Sequence, residues 1–174
     1  MHNVKGFTLV ELLVVAVVLA IFAAIVVPQF ASTTDEAKLS ALKSDLSGIR
    51  GAIDLYRQQH SSWPGAAAAT GATCPNSGTA GAGAINTAAA VVSQLTMYTD
   101  ITGKACSTTS ATFKYGPYVK ADALPANALT GSSAIAMVST GNLIMTGAAA
   151  PGAGWKYDYV VGKFIADHAD YDDL

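Results

Sequence analysis

The chain has 174 residues, a formal net charge of −2 and only 13% charged residues. This length is sufficient for one domain with a hydrophobic core. The few Lys and Arg residues are scattered along the chain, which excludes the basic stripe that is typical of nucleic-acid-binding proteins. We therefore expect no nucleic-acid partner.

The N-terminal segment consists of the polar, basic residues 1–6 and an apolar run from Phe7 to Val27 that contains one carboxylate, Glu11. As a helix, this run would span about 32 Å, which is enough to cross a bilayer. A carboxylate is costly in hydrocarbon, so a permanent membrane anchor leaves Glu11 unexplained. An ordinary signal peptide cleaved near Ala31 fits poorly, because the apolar run is long and has an acidic residue near its start.

The residues Lys5-Gly6-Phe7-Thr8-Leu9-Val10-Glu11 resemble the class III signal sequence of type IV pilins and type II secretion pseudopilins. The resemblance implies that a prepilin peptidase and N-methylase cleaves between Gly6 and Phe7 and methylates the new Phe7 amine. It also implies that Glu11 neutralises the N-terminal amine of a neighbouring subunit during assembly. Pairing of Glu11 with the Phe7 amine of its own chain is the alternative, since the two groups lie one helical turn apart.

Two features shape the rest of the predicted N-terminal helix. Pro28 removes a backbone hydrogen bond, which predicts a kink or a locally melted stretch. Beyond it, apolar residues at spacings of three and four predict an amphipathic helix that packs on a globular head. These residues are Leu39, Leu42, Leu46, Ile49, Ile53 and Tyr56. A coiled coil is the less favoured alternative. Gly48 and Gly51 suggest that a sheet or another helix approaches this helix closely.

The middle of the chain contains a helix end, a loop and a second helix. Residues 63–65, Trp-Pro-Gly, end the first helix, and the lone His60 beside them is expected to be solvated. Residues 65–84 are rich in Ala, Gly and Thr, which predicts a surface loop without a core pattern. Asn86 is expected to cap a short helix over residues 88–97.

Two cysteines, Cys74 and Cys106, lie in polar surroundings rich in Gly, Ser and Thr. A metal site would need more ligands at closer spacing, so we expect none. If this part of the chain is exported, a disulfide between them is the favoured interpretation. Two free thiols are the alternative.

The last third of the chain predicts antiparallel strands. Residues 134–139 and 142–145 are predicted to form one hairpin, and residues 154–161 and 164–166 a second one. In the second hairpin, aromatic residues alternate with polar ones, and this aromatic face is expected to pack on the helical stripe. The acidic tail, residues 167–174, is expected to be solvated.

No catalytic constellation is present in the sequence. A metal-binding His-Glu helix, a nucleophile elbow and a phosphate loop are all missing, and His2, His60 and His168 are far apart. We therefore expect a protein that is not an enzyme and has no cofactor. Calcium at the acidic tail, which the resemblance to major-type pseudopilins implies, is less favoured because no Asp- and Gly-rich loop is evident there.

These features predict an α+β, type IV pilin-like fold, in which a long helix over about residues 7–60 packs its C-terminal half on a small antiparallel head. The expected segments are a cleaved leader (1–6), a hydrophobic helix (7–30), an amphipathic helix (31–60) and a globular head (61–174). The resemblance implies a homopolymeric filament subunit, and we favour the major pilin of a type IV pilus-like filament. A major-type pseudopilin of a type II secretion system and a minor or tip subunit with a binding role are the alternatives.

The same resemblance implies partners and a location. The partners are copies of the chain itself, the prepilin peptidase and N-methylase, and an inner-membrane assembly platform. Before assembly the hydrophobic helix is expected to lie in the inner membrane. After assembly the subunit is expected in an extracellular pilus, or in a periplasmic pseudopilus under the alternative.

Overall fold

The structure, a computed structural model, describes residues 6–150 and 152–174, without the side chains of residues 25–32. The elements in chain order are α1 (Leu9–His60), α2 (Ala88–Thr96), β1 (Tyr98–Thr99), β2 (Ala105–Cys106), β3 (Ile135–Val138), β4 (Trp155–Asp158) and β5 (Lys163–Ala166). The predicted α+β class is confirmed. The chain divides into two compact units, Met1–Leu39 and Ser40–Leu174, and each is described by itself.

The first unit contains the N-terminal part of α1. The helix begins at Leu9, and the side chains of residues 6–24 are exposed. Pro28 lies within the assigned helix, but its side chain is outside the described residues. The kink or melted stretch expected at Pro28 therefore stays a prediction.

The second unit is built on the C-terminal part of α1. Its apolar stripe supplies five side chains that are at most 2% exposed, namely Leu42, Leu46, Ile49, Ile53 and Tyr56. Leu39, which begins the predicted stripe, is half-buried. Arg50 donates from Nε to the carbonyl oxygen of Phe164 at 2.9 Å, which places β5 beside the helix. Burial of each large apolar side chain contributes about 2 kcal/mol, so this face of α1 is a principal source of the unit's stability.

A three-stranded sheet in the order β3-β4-β5 supplies the other part of this core. β4 and β5 are antiparallel, with Asp158 opposite Lys163, so the second predicted hairpin is present. Its first strand is shorter than the predicted residues 154–161, and its second begins at Lys163. Trp155, Tyr157 and Phe164 are at most 1% exposed. The ring centroids of Trp155 and Phe164 are 5.4 Å apart, a spacing at which aromatic pairs attract. The alternating aromatic residues of β4 thus form part of the core.

The first predicted hairpin is wrong. β3 pairs with β4 in parallel, with Ile135 opposite Trp155, and residues 142–145 form no strand. The side chain of Asn142 accepts a hydrogen bond from the Ile144 N–H at 2.9 Å, so this segment turns on itself instead of extending. The chain then returns to the beginning of β4, which makes the two strands parallel.

The carboxylate of Asp158 holds this connection in place. It is fully buried, and it accepts hydrogen bonds from the Thr140 hydroxyl at 3.0 Å and the Gly141 N–H at 2.8 Å. The Val160 N–H also donates to it, at 2.9 Å. Alternation with the aromatic residues predicts Asp158 on the opposite, polar face, but these three donors satisfy the carboxylate inside the protein.

The loop over residues 65–84 is exposed or half-buried at most positions, as its composition predicts, but it also contributes to the core, which its composition does not predict. Ala69 is fully buried with Ala90 and Ala105. The Ala69 N–H donates to the Gly83 carbonyl at 3.0 Å, and the Ala105 N–H donates to the Ala69 carbonyl at the same distance. A Cβ on Gly81 would lie 2.6 Å from that of Ala105, closer than real Cβ atoms approach. Small residues are therefore required here because the backbones pack closely.

Three local predictions are also corrected. The N-cap of α2 is Thr87, whose Oγ1 accepts the Ala90 N–H at 3.2 Å, and it is not Asn86. Gly48 and Gly51 are exposed, and in the described part of the chain nothing lies within 4 Å of a Cβ built on either, so the close approach expected there is wrong for the single chain. His60 is 7% exposed rather than solvated.

The structure joins Cys74 to Cys106 in a disulfide, with the two Cα atoms 5.7 Å apart. The bond connects the loop over residues 65–84 to β2. Replacing both cysteines by alanine should lower the free energy of unfolding by about 3 kcal/mol, because the unfolded chain regains the entropy that the cross-link removes. Thermal unfolding measures this loss. A reducing agent should lower the melting temperature of the wild type and leave that of the double variant unchanged. Equal stability of the two proteins without a reducing agent would contradict this expectation.

Candidate functional site

The first turn of α1 contains a closed set of hydrogen bonds between Thr8 and Glu11. The Glu11 carboxylate accepts from the Thr8 N–H at 2.9 Å and from the Thr8 hydroxyl at 2.8 Å. In return, the Glu11 N–H donates to Thr8 Oγ1 at 3.3 Å. This is a capping box, in which Thr8 is the N-cap and Glu11 the third helical residue. The Thr-x-x-Glu spacing shows this cap in the sequence, but the sequence analysis missed it.

The capping box gives Glu11 partners within its own chain. Both donors come from Thr8, and no positively charged group of the described residues forms an ion pair with the Glu11 carboxylate. The side chain is exposed, so another molecule can reach it. Helix N-termini favour a negative charge, and the cap therefore stabilises this end of α1.

Gly6 and Phe7 precede the helix, which begins at Leu9. Gly6 is exposed, and no atom lies within 4 Å of the position that a Cβ would occupy. The Phe7 side chain is 82% exposed. The peptide bond between these two exposed residues is therefore accessible, as a protease requires.

The N-terminal part of α1 and Phe7, which precedes it, expose large apolar side chains. Their exposure ranges from 44% to 82%, and they are Phe7, Leu9, Val10, Leu12, Leu13, Val14, Val15, Val17, Val18, Leu19, Ile21 and Phe22. A soluble monomer rarely presents a contiguous apolar surface of this kind. Such a surface marks a site of contact with protein or lipid. Within the described residues, no helix combines the length and the apolar character that crossing a membrane demands. The predicted hydrophobic helix (7–30) includes residues whose side chains are not described.

The structure shows no metal centre among residues 6–150 and 152–174, where no three His, Cys, Asp or Glu side chains are grouped to hold an ion. The tail is less solvated than predicted, since Asp167 is 4% exposed. Its carboxylate accepts the Ala148 N–H at 3.0 Å, and that of Asp172 accepts the Gly147 N–H at 2.7 Å. These tail residues therefore hold a neighbouring loop.

Comparison with known proteins finds one family and several similar proteins. The family described as the prokaryotic N-terminal methylation motif matches residues 1–27. Type II secretion system core protein G of Pseudomonas aeruginosa is 46% identical over 60 residues, and the same-named protein of Klebsiella pneumoniae is 38% identical over 64 residues. A fimbrial protein of Neisseria meningitidis is 36% identical over 61 residues. The resemblance to pilins and pseudopilins is confirmed for this region.

These similarities cover 34%, 37% and 35% of the chain, in the same order. The chain spans less than half of each relative's own length, with 42%, 46% and 36% covered. No solved structure matches the chain.

Proposed function

We propose, from the N-terminal methylation motif that residues 1–27 carry, that the chain is a structural subunit of a helical filament of the type II secretion or type IV pilus kind. The observation that carries the proposal is the combination of this motif with an accessible Gly6–Phe7 bond and an exposed Glu11 in the first turn of α1. The role is structural, not enzymatic.

Similarity to core protein G of two species supports a type II secretion pseudopilin better than the major pilin that the sequence analysis favours. The similarity to a fimbrial protein makes the pilus subunit the second candidate. Both functions use the same N-terminal chemistry. They differ in the location of the filament. A secretion pseudopilus lies in the periplasm, and a pilus lies outside the cell.

In the proposed assembly, a prepilin peptidase and N-methylase removes residues 1–6 and methylates the amine of Phe7. The apolar part of α1 holds the subunit in the inner membrane until an assembly platform extracts it. The helix then exchanges lipid for the equivalent helices of other copies, and both surroundings are apolar, so little transfer free energy is required.

Thr8 and Glu11 have separate roles when the helix moves from the membrane into the filament. Before assembly, the N–H and the hydroxyl of Thr8 satisfy the Glu11 carboxylate, and the capping box of the single chain supports this role. During assembly, the positively charged amine of a neighbouring copy forms an ion pair with the Glu11 carboxylate. The amine adds Coulomb attraction between opposite charges, which the neutral donors of Thr8 do not supply. Because an unpaired charge in an apolar core costs several kcal/mol, the pair also sets the axial register of the subunits.

The leader assignment predicts the effect of replacing Gly6. Gly6→Leu should slow leader removal at least tenfold, because a bulky side chain occupies the open space beside the scissile bond. The mass of the N-terminal peptide from the native protein measures cleavage and methylation together. Gly152→Leu, at another glycine without neighbours within 4 Å, should be processed like the wild type. Unaltered processing of Gly6→Leu would contradict the assigned cleavage site.

The filament itself is tested by electron microscopy and by fractionation of cells that produce the protein. A homopolymer should appear as filaments that an antibody against the head labels along their length. Recovery in the sheared surface fraction supports the pilus, and recovery only in the periplasm supports the secretion pseudopilus. A protein that stays monomeric in the membrane after its leader has been removed would refute both functions.

A further inference from the structure

His60, the last residue of α1, is enclosed by aromatic rings. It is 7% exposed, and its ring stacks on Tyr56 with the centroids 4.0 Å apart and the planes 4° apart. The rings of Tyr115 and Tyr118 approach edge-on, with centroid distances of 5.1 Å and 6.2 Å. A titratable ring thus lies where the end of α1 meets two other segments of the head.

The hydrogen bonds of the ring define its protonation state. Nδ1 lies 3.1 Å from the carbonyl oxygen of Tyr56, which can only accept, so Nδ1 carries the proton. Nε2 lies 2.9 Å from the Thr99 hydroxyl and accepts its hydrogen in the neutral ring. Thr99 belongs to β1 and is fully buried. The neutral ring therefore connects the end of α1 to β1.

A second segment meets the ring from the other side. The Tyr118 hydroxyl lies 3.4 Å from His60 Nδ1 and donates to the side-chain oxygen of Gln59 at 2.7 Å. Tyr115 pairs with β1, since the Thr99 N–H donates to its carbonyl at 2.9 Å and its own N–H donates to the Thr99 carbonyl at 3.2 Å. Thr99 and Tyr115 are therefore joined by two backbone hydrogen bonds.

Protonation of the ring disrupts this arrangement. A proton on Nε2 converts this nitrogen from an acceptor into a donor, so the Thr99 hydroxyl must rotate to accept. The hydroxyl hydrogen of the fully buried Thr99 then loses Nε2 as its acceptor. The resulting cation is surrounded by tyrosines, and Asp100 is the carboxylate whose charge acts on it. Burial disfavours the charged form and lowers the pKa of His60, although the Asp100 charge and hydrogen bonds to the backbone oppose this effect.

We propose that His60 is a pH-sensitive latch, whose neutral ring fastens the end of α1 to β1 and the segment 115–118, and whose protonation releases both. A histidine with a lowered pKa in the folded state stabilises the fold fully above its unfolded pKa of about 6.5, and this contribution is lost as the pH falls toward the folded value. The latch lies within the head, so it operates whether or not the chain forms filaments.

Hydrogen–deuterium exchange of the full chain in detergent micelles tests the latch. The amides of Thr99 and Tyr115 should lose protection by up to about tenfold per pH unit below about pH 6.5, after correction for the intrinsic exchange rate. In His60→Gln, which does not titrate, protection should be independent of pH over this range. His168→Gln, which removes a half-buried histidine of the tail, should respond like the wild type. Constant protection in the wild type, or an unchanged response in His60→Gln, would overturn the proposal.

A second measurement decides the question if His60→Gln does not fold. In the variant His2→Gln/His168→Gln, His60 is the remaining histidine, and its ring resonances can be followed by NMR as the pH is lowered. The Thr99 and Tyr115 amide resonances should shift with the same midpoint as the ring. A ring that titrates at about 6.5, the ordinary value, without any response of these amides would refute the latch.

Discussion

Glu11→Ala should abolish filament assembly while leaving membrane insertion intact or improved. The variant loses the carboxylate that we propose to neutralise the amine of a neighbouring subunit, and the amine is then buried without a partner. Breaking a buried ion pair in this way costs about 3–5 kcal/mol, so filament yield should fall at least about 100-fold. Quantitative electron microscopy and membrane fractionation measure the two parts of this result.

The alanine variant also removes the capping box, so the charge must be tested separately. Glu11→Gln can keep the hydrogen bonds with Thr8, because glutamine is accepted at this position of a capping box. It should nevertheless fail to assemble, since it has no charge. Glu36→Ala removes an exposed carboxylate of the same helix and should assemble normally. Wild-type filament yield from Glu11→Gln would disprove the ion-pair role of Glu11.

Gln94→Leu should be among the most destabilising single substitutions in the head. Gln94 is fully buried in α2, and it accepts the Gly65 N–H at 2.7 Å. Its amide group donates to the carbonyls of Ala67 at 3.0 Å and Gly103 at 2.9 Å. Leucine removes the partner of all three backbone groups, of which those of Gly65 and Gly103 are buried, and each buried unsatisfied group costs about 1–3 kcal/mol. The free energy of unfolding should fall by at least about 3 kcal/mol.

Thermal or chemical unfolding of the full chain in detergent, followed by circular dichroism, measures this loss. The matched control is Gln58→Leu, which makes the same chemical change at an exposed position of α1. Surface substitutions of this kind change stability by about 0.5 kcal/mol or less. Equal effects of the two substitutions would show that the three bonds of Gln94 contribute nothing to the stability of the head.

The features that the sequence predicts correctly depend on residues close together in the chain. The Gly6-Phe7-to-Glu11 motif occupies consecutive positions and is matched by the methylation motif. The stripe from Leu42 to Tyr56 follows the helical repeat, which is set by the geometry of one helix. The β4–β5 hairpin is also local, since its two strands are joined by four residues, 159–162.

The wrong predictions depend on residues that are distant in the chain. The sequence predicts a hairpin turn at Thr140–Gly141, but both residues donate hydrogen bonds to the carboxylate of Asp158 instead. The Ala- and Gly-rich loop looks solvated until Gln94 and β2 bind its backbone. His60 looks like a helix-end residue until Thr99 and the tyrosines enclose it.

By itself, then, the sequence determined the N-terminal processing motif, the length of α1 and the face of α1 that the head covers. Local spacing and helical periodicity contain that information. The tertiary structure alone decided that β3 is parallel to β4, that the small residues of the loop are packed, and that His60 is buried. Each of these depends on which distant polar group satisfies a given backbone or side-chain atom, and residue type and spacing do not encode that choice.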